Sequence, residues 1–339
     1  MKVNHNANKR NKPQATPIIL DTDMMTDCDD AGALAMAHAL ADNGELNILG
    51  VVLSTQDNNN KHGNVVSAIN YYYNRPNIPI GMVSRPNMDE IRRETCPFSI
   101  DIYNNHPHDG VANEERPSAT EVYRKLLHNA IDNSVSIIVI GNFYNIEDLL
   151  KSPSDKIDSR NGSELVADKV KEMIITGGWL LPSNRGIKAD VNLGGKSNGL
   201  VAAAHASNYT FVNWPDASAK IVISGADLGD TIITGLGYNK LEESPMKVAY
   251  RHAYNALVDG RPSWDQTAIL LAARGSRHNG ITYRQMENNG YADVNCQGQL
   301  FWRDNINKNH EYLIKHSGLS DTELAVIIEA LMVQQPNKK

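Results

Sequence analysis

Cysteine is scarce in this sequence, and what there is does not cluster. Cys28, Cys96 and Cys296 are odd in number, far apart and never in a CxxC pair, which argues against a disulfide framework or a zinc cluster and fits a reducing compartment. Long hydrophobic runs are missing as well. No apolar stretch approaches the ~18 residues that a membrane-spanning helix needs, so no membrane partner is expected. Basic charge is not in excess: a formal net charge of −6, with no basic run interleaved with aromatics, argues against nucleic acid, whose phosphates demand a basic face. The opening MKVNHNANKRNKPQATP is polar and lacks the apolar middle of a signal peptide, so residues 1–16 read as a disordered tail. The cytoplasm is the expected compartment, with an exported location open if a signal preceded residue 1.

What is present is the material of a globular protein, with 41% apolar and 21% charged residues. Short apolar runs alternate with helical patterns. Strands are expected at 18–23, 47–55, 79–83, 135–141, 171–178 and 220–229, and helices at 29–42, 64–74, 120–132, 145–150 and 198–207. Continuous apolar strands separated by helices imply an α/β fold with an open, mostly parallel, Rossmann-like sheet covered on both faces. The last third is less regular, with helices expected at 244–260, 263–275 and 321–333 and a hairpin at 290–304. No long linker or internal repeat interrupts the chain, so 17–339 reads as a single domain. In such sheets ligands bind beyond the carboxyl ends of the strands.

The first strand ends in ILDTDMMTDCDDAGAL, which places Asp21, Asp23, Asp27, Asp29 and Asp30 within ten residues. Crowded carboxylates repel one another and need compensation. Helix capping explains one or two of them. A hard cation explains more, because Ca²⁺ and Mg²⁺ take oxygen ligands, whereas zinc would ask for cysteine and histidine. The spacing is not that of an EF-hand loop.

The same stretch resembles the amino-terminal motif of the nucleoside hydrolases, the inosine/uridine-preferring N-ribohydrolases. Their usual DxDxxxDDA appears here with two more residues before the DDA, and with Met25 at a usual glycine. VIGNFYNI (139–146) is similar to that family's GPLTN loop. MIITGGWLLPSNRGIKADVN (173–192) resembles its stretch from MGG to EFN or EWN, and RPSWDQTAIL (261–270) its late acidic motif. The four landmarks come in the family's order and span about 17 to 318.

The resemblance implies the nucleoside hydrolase fold and one Ca²⁺ held by Asp23, Asp30, Asp265 and the backbone carbonyl of Tyr144. It also implies that Asp29 bonds a ribose hydroxyl and that Asp23, beside a calcium-positioned water, is the general base. The substrate would be a small-molecule ribonucleoside, cleaved to ribose and free base, and the assembly a homodimer or homotetramer. Asn184, Asp190 and Asn192 fall on ribose-binding positions, with Asp190 where the family usually has Glu. Asp57 and Asn58 lie where it keeps a sugar-binding Asn, although a plain turn explains them equally. His106 either borders the base pocket or is a solvated loop residue. Trp264 stands where pyrimidine-accepting members carry a histidine acid; it either stacks on a purine or packs in the core.

Three other readings remain. An apolar strand ending in DxD also opens phosphatases of the haloacid dehalogenase type, but Met25 replaces the Thr or Val they need. A calcium-dependent nucleoside- or ribose-binding protein without turnover is the second. Hydrolysis of some other N-riboside is the third.

Overall fold

The computed structural model describes residues 14–179, 188–195, 201–276, 284–287, 290–304, 306, 308–315 and 319–337. Its centre is an eight-stranded sheet. In chain order the strands are β1 (Thr16–Thr22), β2 (Leu46–Leu53), β3 (Ile80–Met82), β4 (Val135–Val139), β5 (Val170–Thr176), β6 (Lys220–Ser224), β7 (Arg284–Glu287) and β8 (His310–Lys315). They lie side by side as β7-β8-β6-β5-β4-β1-β2-β3. Seven are parallel; β7 alone runs antiparallel, on the edge beside β8. The expected mostly parallel α/β sheet is therefore the observed one. From β1 the chain builds outward through β2 and β3 on one side, then returns to lay β4 on the other. That reversal opens a crevice beyond the carboxyl ends of β1 and β4, where open α/β sheets bind ligands.

Side-chain alternation along the strands divides the core into two layers. Ile18 and Leu20 of β1 face one layer, with the helices Asp29–Asp42, Trp264–Arg274 and Asp321–Met332. Ile19 faces the other, packed with the helices Ala119–His128, Tyr144–Lys151 and Val201–Asn213. Among the described residues no helix is long and apolar enough to cross a membrane.

Two of the expected elements differ. The helix anticipated over 244–260 is two pieces, Pro245–His252 and Ala256–Asp259. Tyr254 and Asn255 take left-handed backbone angles, φ 50° and 56°, which end one helix and restart the next. The run 220–229 is a strand only to Ser224, and Ala226–Gly229 turns into a short helix. The hairpin is Gly290–Val294 paired with Leu300–Asp304, as anticipated.

Inside the first layer, the His38 ring stacks on Tyr73 with centroids 4.8 Å apart, and its Nε2 lies 2.9 Å from Asn70 Oδ1. Burial pushes its pKa down to about 3. The unfolded chain takes up that proton near pH ~6.5, so His38 contributes stability above this value that is lost as pH falls from there toward the folded pKa. His62, pushed down to about 4 by burial, acts in the same window. Urea midpoints are expected to fall between about pH 6.5 and 4, and to fall less steeply in His38→Gln, which keeps a donor for Asn70. An unchanged slope in that variant would assign the acid sensitivity to other groups.

Candidate active site

The crevice at the strand reversal is a cleft of about 440 Å³. Its floor comes from two helix starts. Asp29 and Asp30 occupy the first turn of the helix after β1, and Asp265 the first turn of Trp264–Arg274. Gln266 ties the two together, its Nε2 donating to the Asp29 carbonyl at 3.2 Å. Both helices thus aim their positive ends at the same carboxylates, which offsets part of the repulsion. The simple capping explanation does not hold: the N-cap position of the first helix is Cys28, with no side-chain cap.

The three carboxylates are buried, and one oxygen from each lies within 4.8 Å of the other two. Burial pushes the pKa of each well above the carboxylate range, and neighbouring acids add to it: Asp27 for Asp29, Asp23 and Asp29 for Asp30, Asp29 and Asp30 for Asp265. Thr22 fixes the rotamer of Asp30 by donating its hydroxyl to Oδ1, and the Met24 amide donates to the same oxygen at 3.3 Å. The donor set fits a hard cation. Ligands on opposite sides of Ca²⁺ stand ~5 Å apart, so three oxygens at this spacing share one coordination sphere without moving far.

Asp23 lines the same cleft but is not part of that trio. Its Oδ2 accepts from Arg92 Nη1 at 2.6 Å, in a pair where both residues are only 7% exposed. Burial still raises the Asp23 pKa, with Arg92 opposing. Asp21, the other acid of DTD, is fully buried away from the cleft. It accepts from Tyr123 Oη at 2.9 Å and Asn145 Nδ2 at 3.0 Å, and burial pushes its pKa up to about 8.

Asp190 and Asn192 reach the cleft from the segment after β5. Asn192 Nδ2 donates to the carbonyls of Ile140 (3.1 Å) and Thr176 (3.2 Å), clamping the ends of β4 and β5. Asp190 Oδ1 accepts from the Asn192 and Leu193 amides. The hairpin pins this segment from outside, its Gly298 carbonyl accepting from the Asp190 amide at 3.1 Å.

One wall is aromatic. Arg261, bonded to Asp27 (Nε to Oδ1, 2.8 Å), lies over the rings of Tyr254 at 4.1 Å and Trp264 at 4.9 Å. Trp179 and Met25 complete the lining. Trp264 is therefore at the cleft surface rather than in the core, with its indole N–H buried and without a partner.

Four anticipated residues lie elsewhere. Tyr144 is the first residue of a helix, and its carbonyl accepts from Arg85 Nη2 at 2.8 Å on the far side of the loop, not in the cleft. Asp57 serves its own turn, accepting from the amides of Asn59, Lys61 and Cys96. Asn58 donates to Thr95 Oγ1, and His106 closes the helix Ser99–Asn105; neither lines the cleft. Asn184 lies outside the described residues. Residues that motif reading passed over are Arg92, Glu94, Arg261 and Trp179, while Tyr254, whose helical spacing favours core or surface packing, lines the cleft. A usable signal existed for the first two, since Arg92 and Glu94 are two apart and share a face of an extended segment.

Neither a family model nor a curated protein sequence matches this chain. Solved structures do. A purine-preferring ribonucleoside hydrolase from Gardnerella vaginalis superposes with a TM-score of 0.65 at 16% identity, covering 93% of this chain and 97% of its own. A plant nucleoside hydrolase gives 0.64 at 16% identity, with 94% and 98% covered. The type III effector protein XopQ, solved with adenosine diphosphate ribose, gives 0.63 at 13% identity, with 95% and 94% covered. The chain has the fold of the nucleoside hydrolases.

Proposed function

We propose that this chain is a divergent nucleoside hydrolase that cleaves the N-glycosidic bond of ribonucleosides to ribose and free base. The observation that carries the reading is the convergence of three buried carboxylates from two helix starts, with Asp23 beside them, at the strand reversal of this fold. The neighbours named as nucleoside or ribonucleoside hydrolases support it at the level of architecture. We read 17–339 as one domain acting within a homodimer or homotetramer, with a small-molecule nucleoside as partner.

Breaking an N-glycosidic bond develops positive charge on the ribose ring, much as in O-glycoside cleavage. Fixed carboxylates beneath the ring stabilise that charge. Asp29 accepts a ribose hydroxyl from below, while Asp190 and Asn192 orient the sugar from the opposite wall. Asp23 takes the proton of the attacking water. Trp264 offers the leaving base a flat face, with Arg261 and Tyr254 behind it. Ca²⁺ held by Asp29, Asp30 and Asp265 would supply Lewis-acid polarisation of water and charge balance.

The test is release of free ribose from a panel of purine and pyrimidine nucleosides, with and without a calcium chelator. Chelator-sensitive release is expected, with inosine cleaved at least about 100-fold faster than 2′-deoxyinosine, because a site built to bond a hydroxyl rejects the analogue lacking it. Equal rates would contradict recognition through the ribose diol. The Arg92–Asp23 pair favours one second reading, a nucleoside- or ribose-binding protein whose base is neutralised; calcium binding with no release from any nucleoside would select it.

A further inference from the structure

Arg92, like Arg261, is a positive charge in this cleft that a cation site does not call for. It is presented rigidly. The segment Arg93–Glu94 pairs with Gln56–Asp57, the Arg92 carbonyl accepts from the Gln56 amide at 2.9 Å, and Asp57 gathers three amides around the turn. From that frame the guanidinium bridges two acids, Nη1 to Asp23 Oδ2 at 2.6 Å and Nε to Glu94 Oε1 at 2.8 Å. Asp23 lines the same cleft as the three grouped carboxylates. A positive charge therefore sits on an acid beside the place where a dication would bind.

We propose that Arg92 is an internal competitor for the metal: its guanidinium holds Asp23 out of the coordination set, and a divalent cation gains Asp23 only by displacing it. This rests on the metal reading above. Two physical terms act together. The guanidinium and a dication repel each other across a few ångströms of buried, weakly screened space. They also draw on the same carboxylate, whose Oδ2 the guanidinium already holds. Displacement is feasible because Arg92 keeps Glu94, whose side chain is 31% exposed, as a charge partner when it lets go.

The proposal separates this chain from a site in which all four acids are open to the ion. Metal binding is weakened and becomes coupled to Arg92, so the residue tunes affinity without itself being a ligand. It also links occupancy to the availability of Asp23 as a base, since Asp23 is released only when the metal is bound.

The experiment is Ca²⁺ titration of the full chain by calorimetry, in wild type, Arg92→Gln, Asp23→Asn and the double variant. Arg92→Gln is expected to bind Ca²⁺ at least about tenfold more tightly than wild type, because Asp23 is freed for the ion and an adjacent like charge is removed. In the Asp23→Asn background the same substitution is expected to gain clearly less, about threefold or below, because only the repulsion is left there and additivity fails where two residues act through one contact. An equal gain in both backgrounds would mean that charge repulsion acts alone and would overturn the competition. Arg92→Lys covers the case in which Arg92→Gln does not fold. It keeps the charge but cannot bridge Asp23 and Glu94 together, and a gain of about threefold is expected. If wild type binds Ca²⁺ and the Arg92 variants bind it no better, the proposal fails while the metal reading stands. If none binds Ca²⁺, both fail.

Discussion

Asp30→Asn is expected to lose at least about 100-fold in metal affinity and a larger factor in ribose release, while the folded protein becomes harder to unfold. The two directions follow from one geometry. Asp30 is buried against Asp23 and Asp29, and burial with their repulsion holds its pKa well above the carboxylate range. Its oxygen already accepts the Thr22 hydroxyl and the Met24 amide. Asparagine keeps the shape and can keep both bonds, but removes one of several mutually repelling charges. In chelator, the thermal midpoint should therefore rise above that of wild type, as it does when a buried charge without adequate pairing is neutralised. Added Ca²⁺ should raise wild type further and leave the variant nearly unmoved, since only a folded state that binds the ion gains from it. Near-normal, chelator-sensitive turnover in Asp30→Asn would sink the site assignment. A lowered midpoint would mean that Asp30 holds the helix start together rather than the ion.

Much of this floor was legible from the chain alone. An apolar run, acids at its end and an Ala/Leu-rich helix beginning at Asp29 specify a β1–helix unit whose carboxyl edge carries charge. The observed helix spans Asp29–Asp42 as anticipated. Asp265 came from the resemblance of RPSWDQTAIL to the family's late acidic motif, and the structure places it in the first turn of Trp264–Arg274. Both cases rest on regular backbone, where position along the sequence dictates position in space.

Loops broke that link. The anticipated Tyr144 ligand turned on which way one carbonyl points, and Tyr144 opens the helix Tyr144–Lys151 with that carbonyl accepting from Arg85. Asp57 sat in a run of asparagines with no periodic signal, and its carboxylate went to the amides of Asn59 and Lys61, as Asp commonly does in turns, and to that of Cys96. Tyr254 was hidden differently. Nothing in AYRHAYNALVDG marks a break, yet two left-handed residues without glycine or proline end the helix there. That break lets Tyr254 stack on Arg261 at the cleft. Arg92 illustrates the remaining gap, because its partner Asp23 lies 69 residues away and the pairing needs the whole sheet in place.

The glycine of VIGNFYN ties fold to site most directly. Gly141 follows β4 and passes so close to β1 that an added methyl would lie 2.6 Å from the Asp23 amide nitrogen, 2.6 Å from Ser54 Oγ and 2.9 Å from the Thr22 carbonyl carbon. Two of those three atoms are backbone, and Ser54 cannot yield freely because its hydroxyl accepts from the Asn142 amide at 3.1 Å. Gly141→Ala must therefore push the end of β1, and with it Asp23, away from the crevice. Overpacking of this kind costs about 1–3 kcal/mol in stability. The effect on turnover should be larger, of order 100-fold, because a displacement near 1 Å at a catalytic group is enough to lose that much. Gly44→Ala provides the contrast. Gly44 has φ 76° with no atom within 4 Å of an added methyl, so the substitution strains only an exposed turn. It is expected to lower stability by about 1 kcal/mol and leave ribose release unchanged. Urea unfolding and steady-state kinetics on the pair separate the two causes. Equal activity losses would mean that turnover tracks stability alone, whereas a loss confined to Gly141→Ala ties the chemistry to the placement of Asp23.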